Sequence, residues 1–457
     1  MALTHPLAGA GTKAAASRLD WLDAMRGFAA LCVVFDHVSY HVLLPVRHVL
    51  SHHLDLGQYG VYVFFLVSGY IIPASLERRG SVRGFWVGRA FRLYPPYLLA
   101  LAISLVGFAF GVVSMAGANR HWLIAGLSWL LMMPNMMAGA NIPNVTWTLS
   151  YEMVFYLLVA ALYSLRAHRQ SGGYALACGI AAVALGGVLP MNALSHGAVN
   201  ALRTNIVADA VIVGGVILAL RGKQSGGGRH AKGGPGLLAI GGGCAAALAG
   251  LTLLTFNQFY PYPWTGYTIL AFMFTGTLIY RAEQGDIGRA RAAVIAVAVL
   301  GLTLAAGLAD GRQSHAWWAA DWPRWRDQWI TSLVGAALTF GLGMLARRRR
   351  IPRVLPWLGV ISYSVYLFHP LVLSGFEAAG LFGKHSLAGQ VGLLAAFVVA
   401  VIGVSVASYY LLERPMQKLG RRLAKRWDDQ RAKPPAPVTA AAPVTAAAPA
   451  APTAMRA

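Results

Sequence analysis

The sequence predicts an all-α polytopic membrane protein with about 10–12 transmembrane helices. Three observations carry this. Of 457 residues, 57% are hydrophobic and only 12% are charged, against about 25% charged in a soluble domain. The mean hydropathy is +0.56. The charge that remains is basic, formally +22, and sits in short runs between apolar stretches. That pattern assigns Lys and Arg to holding loops on the cytoplasmic side. It argues against a nucleic-acid partner, whose phosphates need a basic surface.

Apolar runs of about 17–25 residues, the length of a helical crossing, fall at 24–45, 58–77, 97–117, 146–165, 174–191, 204–220, 236–256, 264–281, 292–309, 328–346, 354–376 and 388–412. A further run, 122–138, is short. Basic segments at 77–92, 166–169, 221–232, 281–291, 347–350 and after Glu413 are expected inside. Two crossings between Arg92 and Arg166 keep both of those loops inside and three do not. The run 122–138 therefore reads as a re-entrant or surface helix on the outer side, and both termini as cytoplasmic. The stretch 310–327 falls outside. It mixes Arg312, Arg324 and Arg326 with Asp310, Asp321 and Asp327, and carries Trp317, Trp318, Trp322 and Trp325. An interfacial loop explains these tryptophans, and so does a platform for sugar rings.

Residues 1–17 are expected to be a cytoplasmic segment with no cleavable signal peptide. Residues 18–420 form the membrane domain, and 421–457, ending in Pro/Ala-rich repeats, a disordered cytoplasmic tail. The Gly-rich stretch 224–235 reads as a flexible connector. Cys32, Cys178 and Cys244 lie in apolar stretches without CxxC spacing, so neither a disulfide framework nor a metal site is expected.

Ionisable residues inside apolar runs are expensive and mark function. "LDAMRGFAALCVVFDH" (22–37) carries Arg26, Asp36 and His37. Arg26 and His37 are about 16 Å apart along a helix axis. Arg26 is expected at the cytoplasmic mouth of the first span and His37 near the bilayer centre. That spacing suits a threaded ligand with its anionic end at the arginine and its reactive end at the histidine. A neutral imidazole is a natural general base for a hydroxyl. Asp36 faces about 100° away from His37 and has no evident partner.

"GRAFRLYPPY" (88–97) places Arg89 and Arg92 on one face of a helical turn, where two guanidiniums clamp a phosphate. Tyr94-Pro-Pro-Tyr97 is expected to close this basic segment and open the third span. "TWTLSYEMVFY" (146–156) buries Glu152, which needs a partner or a proton. Ser68 and Gly69 sit mid-span and read as a helix contact. "LGVISYSVYLFHPLV" (358–372) holds a second intramembrane histidine, His369, before Pro370. Glu413 and Arg414 read as a structural charge pair at the cytoplasmic surface.

Taken in order, these segments resemble the acyltransferase-3 family of integral membrane O-acyltransferases. The signatures are Arg-x10-His in "LDAMRGFAALCVVFDH", then "GVYVFFLVSGY", Arg-x2-Arg, "TWTLSYEMVFY", "ISYSVYLFHP" and a closing "ERP". They cover about residues 18–420. The resemblance implies that Arg26, His37 and Glu152 serve catalysis and that Arg89 and Arg92 engage an acyl-CoA donor, acetyl-CoA first. It implies transfer to a hydroxyl of an extracytoplasmic glycan across a bacterial inner membrane. Tyr151 stands where a small or aliphatic residue is usual. Many relatives add a hydrolase-like domain of the SGNH type at the C-terminus. This chain reads as the standalone form, which leaves room for a partner protein that completes transfer. The alternatives are a small-molecule acceptor such as a macrolide, and a multi-span transporter. Against the transporter stand the missing internal repeat and the Arg-x2-Arg segment.

Overall fold

A computed structural model describes residues 10–114, 121–221, 236–259, 262–313, 321–383 and 385–432. The tail 433–457, the connector 222–235, Trp317 and Trp318 lie outside the described residues. Among the described residues there is no strand. The helices are α1 Ala10–Val38, α2 Leu44–His53, α3 Leu56–Arg79, α4 Val82–Ala109, α5 Trp122–Leu130, α6 Trp147–Ser164, α7 Ser171–Leu185 and α8 Ala198–Arg221. They continue as α9 Leu237–Phe256, α10 Thr265–Gln284, α11 Arg289–Gln313, α12 Trp322–Ala346, α13 Val354–Ala378, α14 Leu387–Ser408 and α15 Arg414–Ala432. Nine of the described helices are long and apolar enough to cross a membrane. The other expected spans correspond to α1, α10 and the 15-residue α7. The chain is thus an all-α polytopic membrane protein.

Two boundaries differ from the sequence expectation. The first span stops at Val38 instead of 45, which puts His37 in the last turn of α1, away from its middle. The chain turns there because Ser39 caps the Asp36 carbonyl at 2.7 Å and Leu43 takes a left-handed φ of 56°. The apolar residues Val42, Leu43 and Leu44 disguise this turn as more helix. The basic segment before the third span is itself helical. Ser81 accepts from the Gly84 amide at 3.1 Å and starts α4, which runs unbroken through Pro95 and Pro96.

At nine residues, α5 is about 14 Å long, too short for a hydrocarbon core of about 30 Å. The directions of α1 and α13 agree with this. Gly27 meets Gly359 and, ten residues further along both chains, His37 meets His369, so the two helices run parallel. Parallel neighbours need an odd number of crossings between them. With α3, α4 and α6–α12 all crossing, the 15-residue α7 included, that number is odd, and it stays odd when α5 does not cross.

Small residues bring the central helices close, as in membrane bundles generally. A Cβ on Gly69 of α3 would run into the Met273 carbonyl of α10, and one on Gly276 of α10 into the Leu66 carbonyl of α3. At the end of the bundle where α3 and α10 finish, Arg281 pairs with Glu77 and, at 3.2 Å, with Asp286. Arg347 pairs there with Glu283 at 2.9 Å. α1, α3, α4, α6 and α13 surround the site.

Candidate active site

Arg26, Arg89, Arg92 and Glu152 converge on one cleft, although they come from three helices separated in sequence. Arg26 is 9% exposed and Arg89 8% exposed. The one-turn spacing of Arg89 and Arg92 on α4 turns both into the cleft, as the sequence predicts. Arg89 lies over the rings of Tyr156 (5.0 Å) and Phe85 (5.3 Å). Arg26 lies over Phe64 at 5.5 Å and stands 3.7 Å from Asp23. Among the described residues, Arg89 and Arg92 have no carboxylate within ion-pair distance. Arg281 and Arg347, at the same end of the bundle, are paired. Arg89 and Arg92 are therefore left to bind something else.

Glu152 accepts from Tyr156, one turn on, at 2.5 Å. It lines the arginine cleft and also a second cavity that adjoins it through Phe64, Glu152 and Tyr363. This second cavity follows Ala29, Ala30 and Val33 along α1 toward Thr148 and Tyr366. Arg26, Ala30, Val33 and His37 form one stripe at helical spacing. The two adjoining cavities thus extend along α1 from the guanidiniums to Val33, one turn short of His37. Tyr366, which lines this second cavity, is bonded to Thr148 at 3.0 Å and to the Val145 carbonyl at 3.1 Å.

Beyond Tyr366 stands the histidine pair. His37 Nδ1 is 2.7 Å from His369 Nε2, and the rings are nearly parallel with centroids 5.0 Å apart. His369 is fully buried. Glu152 bonds to Tyr156, and the residue found against His37 is His369.

Asp36 now has a partner. Its carboxylate lies 3.3 Å from Arg47 of α2, whose guanidinium also bonds the Asp36 carbonyl and Ser39. Glu413 and Arg414 do not pair. A π-helical stretch, Tyr409–Glu413, rotates Glu413 inward, where it is 1% exposed and accepts from Gln417 (2.9 Å) and Ser364 (3.2 Å). Arg414 lies over the Tyr410 ring at 5.6 Å. Gly69 is a helix contact, as predicted, but its neighbour Ser68 lines the arginine cleft. Sequence reasoning also missed Tyr156, Tyr363 and Tyr366. The i, i+4 spacing of Glu152 and Tyr156 was the available signal.

The site thus joins a cleft holding Arg89 and Arg92 free of ion-pair partners among the described residues, an adjoining cavity along α1, and a histidine pair one turn beyond Val33. The chain belongs to the acyltransferase-3 family: the sequence model of that family's acyltransferase domain matches residues 19–412. It is similar to acyltransferase MdmB of Streptomyces mycarofaciens, 34% identical over 32% of this chain and 40% of the relative. It is also similar to nodulation protein 10 of Rhizobium leguminosarum bv. viciae, 29% identical over 34% of this chain and 47% of the relative. The exopolysaccharide production protein ExoZ of Rhizobium meliloti (strain 1021) is 30% identical over 26% of this chain and 38% of the relative. The match therefore spans less than half the length of each of these relatives. No solved structure matches the chain.

Proposed function

We propose that this protein is an O-acyltransferase that moves an acetyl or other short acyl group from cytoplasmic acyl-CoA to a hydroxyl of an extracytoplasmic glycan. The observation that carries the reading is the pair of adjoining cavities that lie between unpaired Arg89 and Arg92 and the turn below His37. The phosphates of CoA bind Arg89 and Arg92, with Arg26 beside them, as charge-assisted pairs. The pantetheine arm follows Ala30 and Val33, and Glu152 offers its amides an acceptor on the way. The thioester then lies near His37. The excess of arginine at this end supports a cytoplasmic donor side.

His37 removes the proton of the acceptor hydroxyl. The resulting alkoxide bonds to the thioester carbonyl carbon, the carbon–sulfur bond breaks, and the CoA thiolate leaves with the proton from His37. A positioned base contributes about 10² to 10⁴ in rate. The name of the exopolysaccharide relative supports a glycan acceptor.

The test uses protein reconstituted in liposomes with radiolabelled acetyl-CoA and candidate glycans. Label transfer and CoA release are expected for the wild type, and both are expected to fall by about 10²-fold or more in His37→Ala. Donor binding is expected to weaken at least tenfold in Arg89→Ala/Arg92→Ala. Folded wild type that neither binds nor cleaves any acyl-CoA sinks the reading.

A further inference from the structure

His369 has no assigned role, yet it is the side chain that touches His37. Its Nδ1 stands 3.1 Å from the Val365 carbonyl, and the Tyr366 carbonyl is a second acceptor within its reach. Pro370 has no backbone N–H, so the carbonyl four residues back, that of Tyr366, is free of its helical partner. Carbonyls only accept. His369 Nδ1 must therefore carry a proton, and a neutral imidazole protonated there presents a lone pair at Nε2. That lone pair faces His37 Nδ1 at 2.7 Å. For a hydrogen bond to form, His37 Nδ1 must be the donor. The lone pair of neutral His37 is then forced onto Nε2.

We infer that His369 is a positioning residue that fixes the tautomer and ring orientation of His37 through a chain of hydrogen bonds anchored on the α13 backbone. The inference rests on the acyl-transfer reading, with His37 as base. The imidazole is held with its Nε2 unprotonated and pointing away from α13. When His37 takes the hydroxyl proton at Nε2, its Nδ1–H bond to His369 strengthens, because the donor has become cationic. When the thiolate takes that proton back, the starting tautomer returns without rearrangement. In this role a histidine replaces the carboxylate that orients the base in other triads. It adds no second charge to a buried site.

The experiment is steady-state transfer from acetyl-CoA by the full chain in liposomes, for wild type, His37→Ala, His369→Leu, His369→Gln and His37→Ala/His369→Leu. The glutamine amide oxygen can reach the position of Nε2 and accept from His37. His369→Leu is expected to lose about 10²-fold in kcat with KM for acetyl-CoA unchanged, on the scale of a positioned base. His369→Gln is expected to recover kcat to within about tenfold of wild type. The double variant should be no slower than His37→Ala, since a residue acting through another is not additive with it. Turnover of His369→Leu within a few-fold of wild type overturns the inference. So does equal loss in the leucine and glutamine variants, or a double variant slower than His37→Ala. No His37-dependent turnover in the wild type brings down the acyl-transfer reading itself, and this inference with it.

Discussion

Gly27 of α1 packs directly onto Gly359 of α13: a Cβ at Gly27 would fall 2.8 Å from the Gly359 nitrogen. A Cβ at Gly359 would run into the Asp23 carbonyl. This contact sets how closely the two helices approach, and the histidine pair lies ten residues, or about 15 Å, further along both. Gly359→Ala must push the helices apart at their tightest point, where overpacking typically costs about 1–3 kcal/mol. The expected result is a lower unfolding temperature together with a fall in kcat that exceeds any loss of acyl-CoA affinity. Gly375→Ala on the same helix meets open space and serves as the control. Equal behaviour of the two variants refutes the argument.

The parts of this site that a helix periodicity can encode were legible in the sequence. Arg89 and Arg92 share a face because they are three apart, and Arg26 and His37 lie on one stripe of α1. Glu152 was visible as a carboxylate in an apolar run. What stayed hidden depends on which helix lies beside which. His369 is 332 residues from His37, and no local pattern announces that α13 packs parallel to α1. Glu413 was hidden for another reason. An extra residue in the π-helical turn shifts the register by about 100°, which a regular helix count does not include. The early stop of α1 was masked by apolar residues in the turn itself.

Asp36 and Arg47 give a second prediction. Their side chains are 18% and 15% exposed, so the pair is largely shielded from water. It ties α2 to the turn that ends α1, directly beside His37. Asp36→Ala takes the carboxylate from Arg47 and leaves it the Asp36 carbonyl and Ser39, and Arg47→Ala leaves the carboxylate without its cation. Each single variant is expected to lower the unfolding temperature and slow transfer. The double variant is expected to lose little more than the worse single one, with a coupling of about 0.5–3 kcal/mol typical of contacting residues. Measured losses that simply add mean the pair has no joint effect on α2 or His37.

The passage itself makes the third prediction. Val33 is 4% exposed, lines the upper cavity and lies one turn below His37. Facing it is Gly60 of α3, where a Cβ would approach Val33 Cγ2 to 3.0 Å. The wall is tight there, and a larger side chain must project into the lumen. Val33→Phe is expected to abolish label transfer from acetyl-CoA, because the thioester no longer reaches His37. The guanidiniums lie lower on the passage, so the nucleotide half of CoA without its pantetheine arm should still bind as in wild type. That separation is readable by competition against labelled acetyl-CoA on the wild type and direct nucleotide binding on the variant, with the unfolding temperature as a check on folding. Transfer that survives the phenylalanine means the acyl group takes another path to the histidine pair. Loss of nucleotide binding in a variant that still folds means the two cavities do not act as separate parts of one donor site.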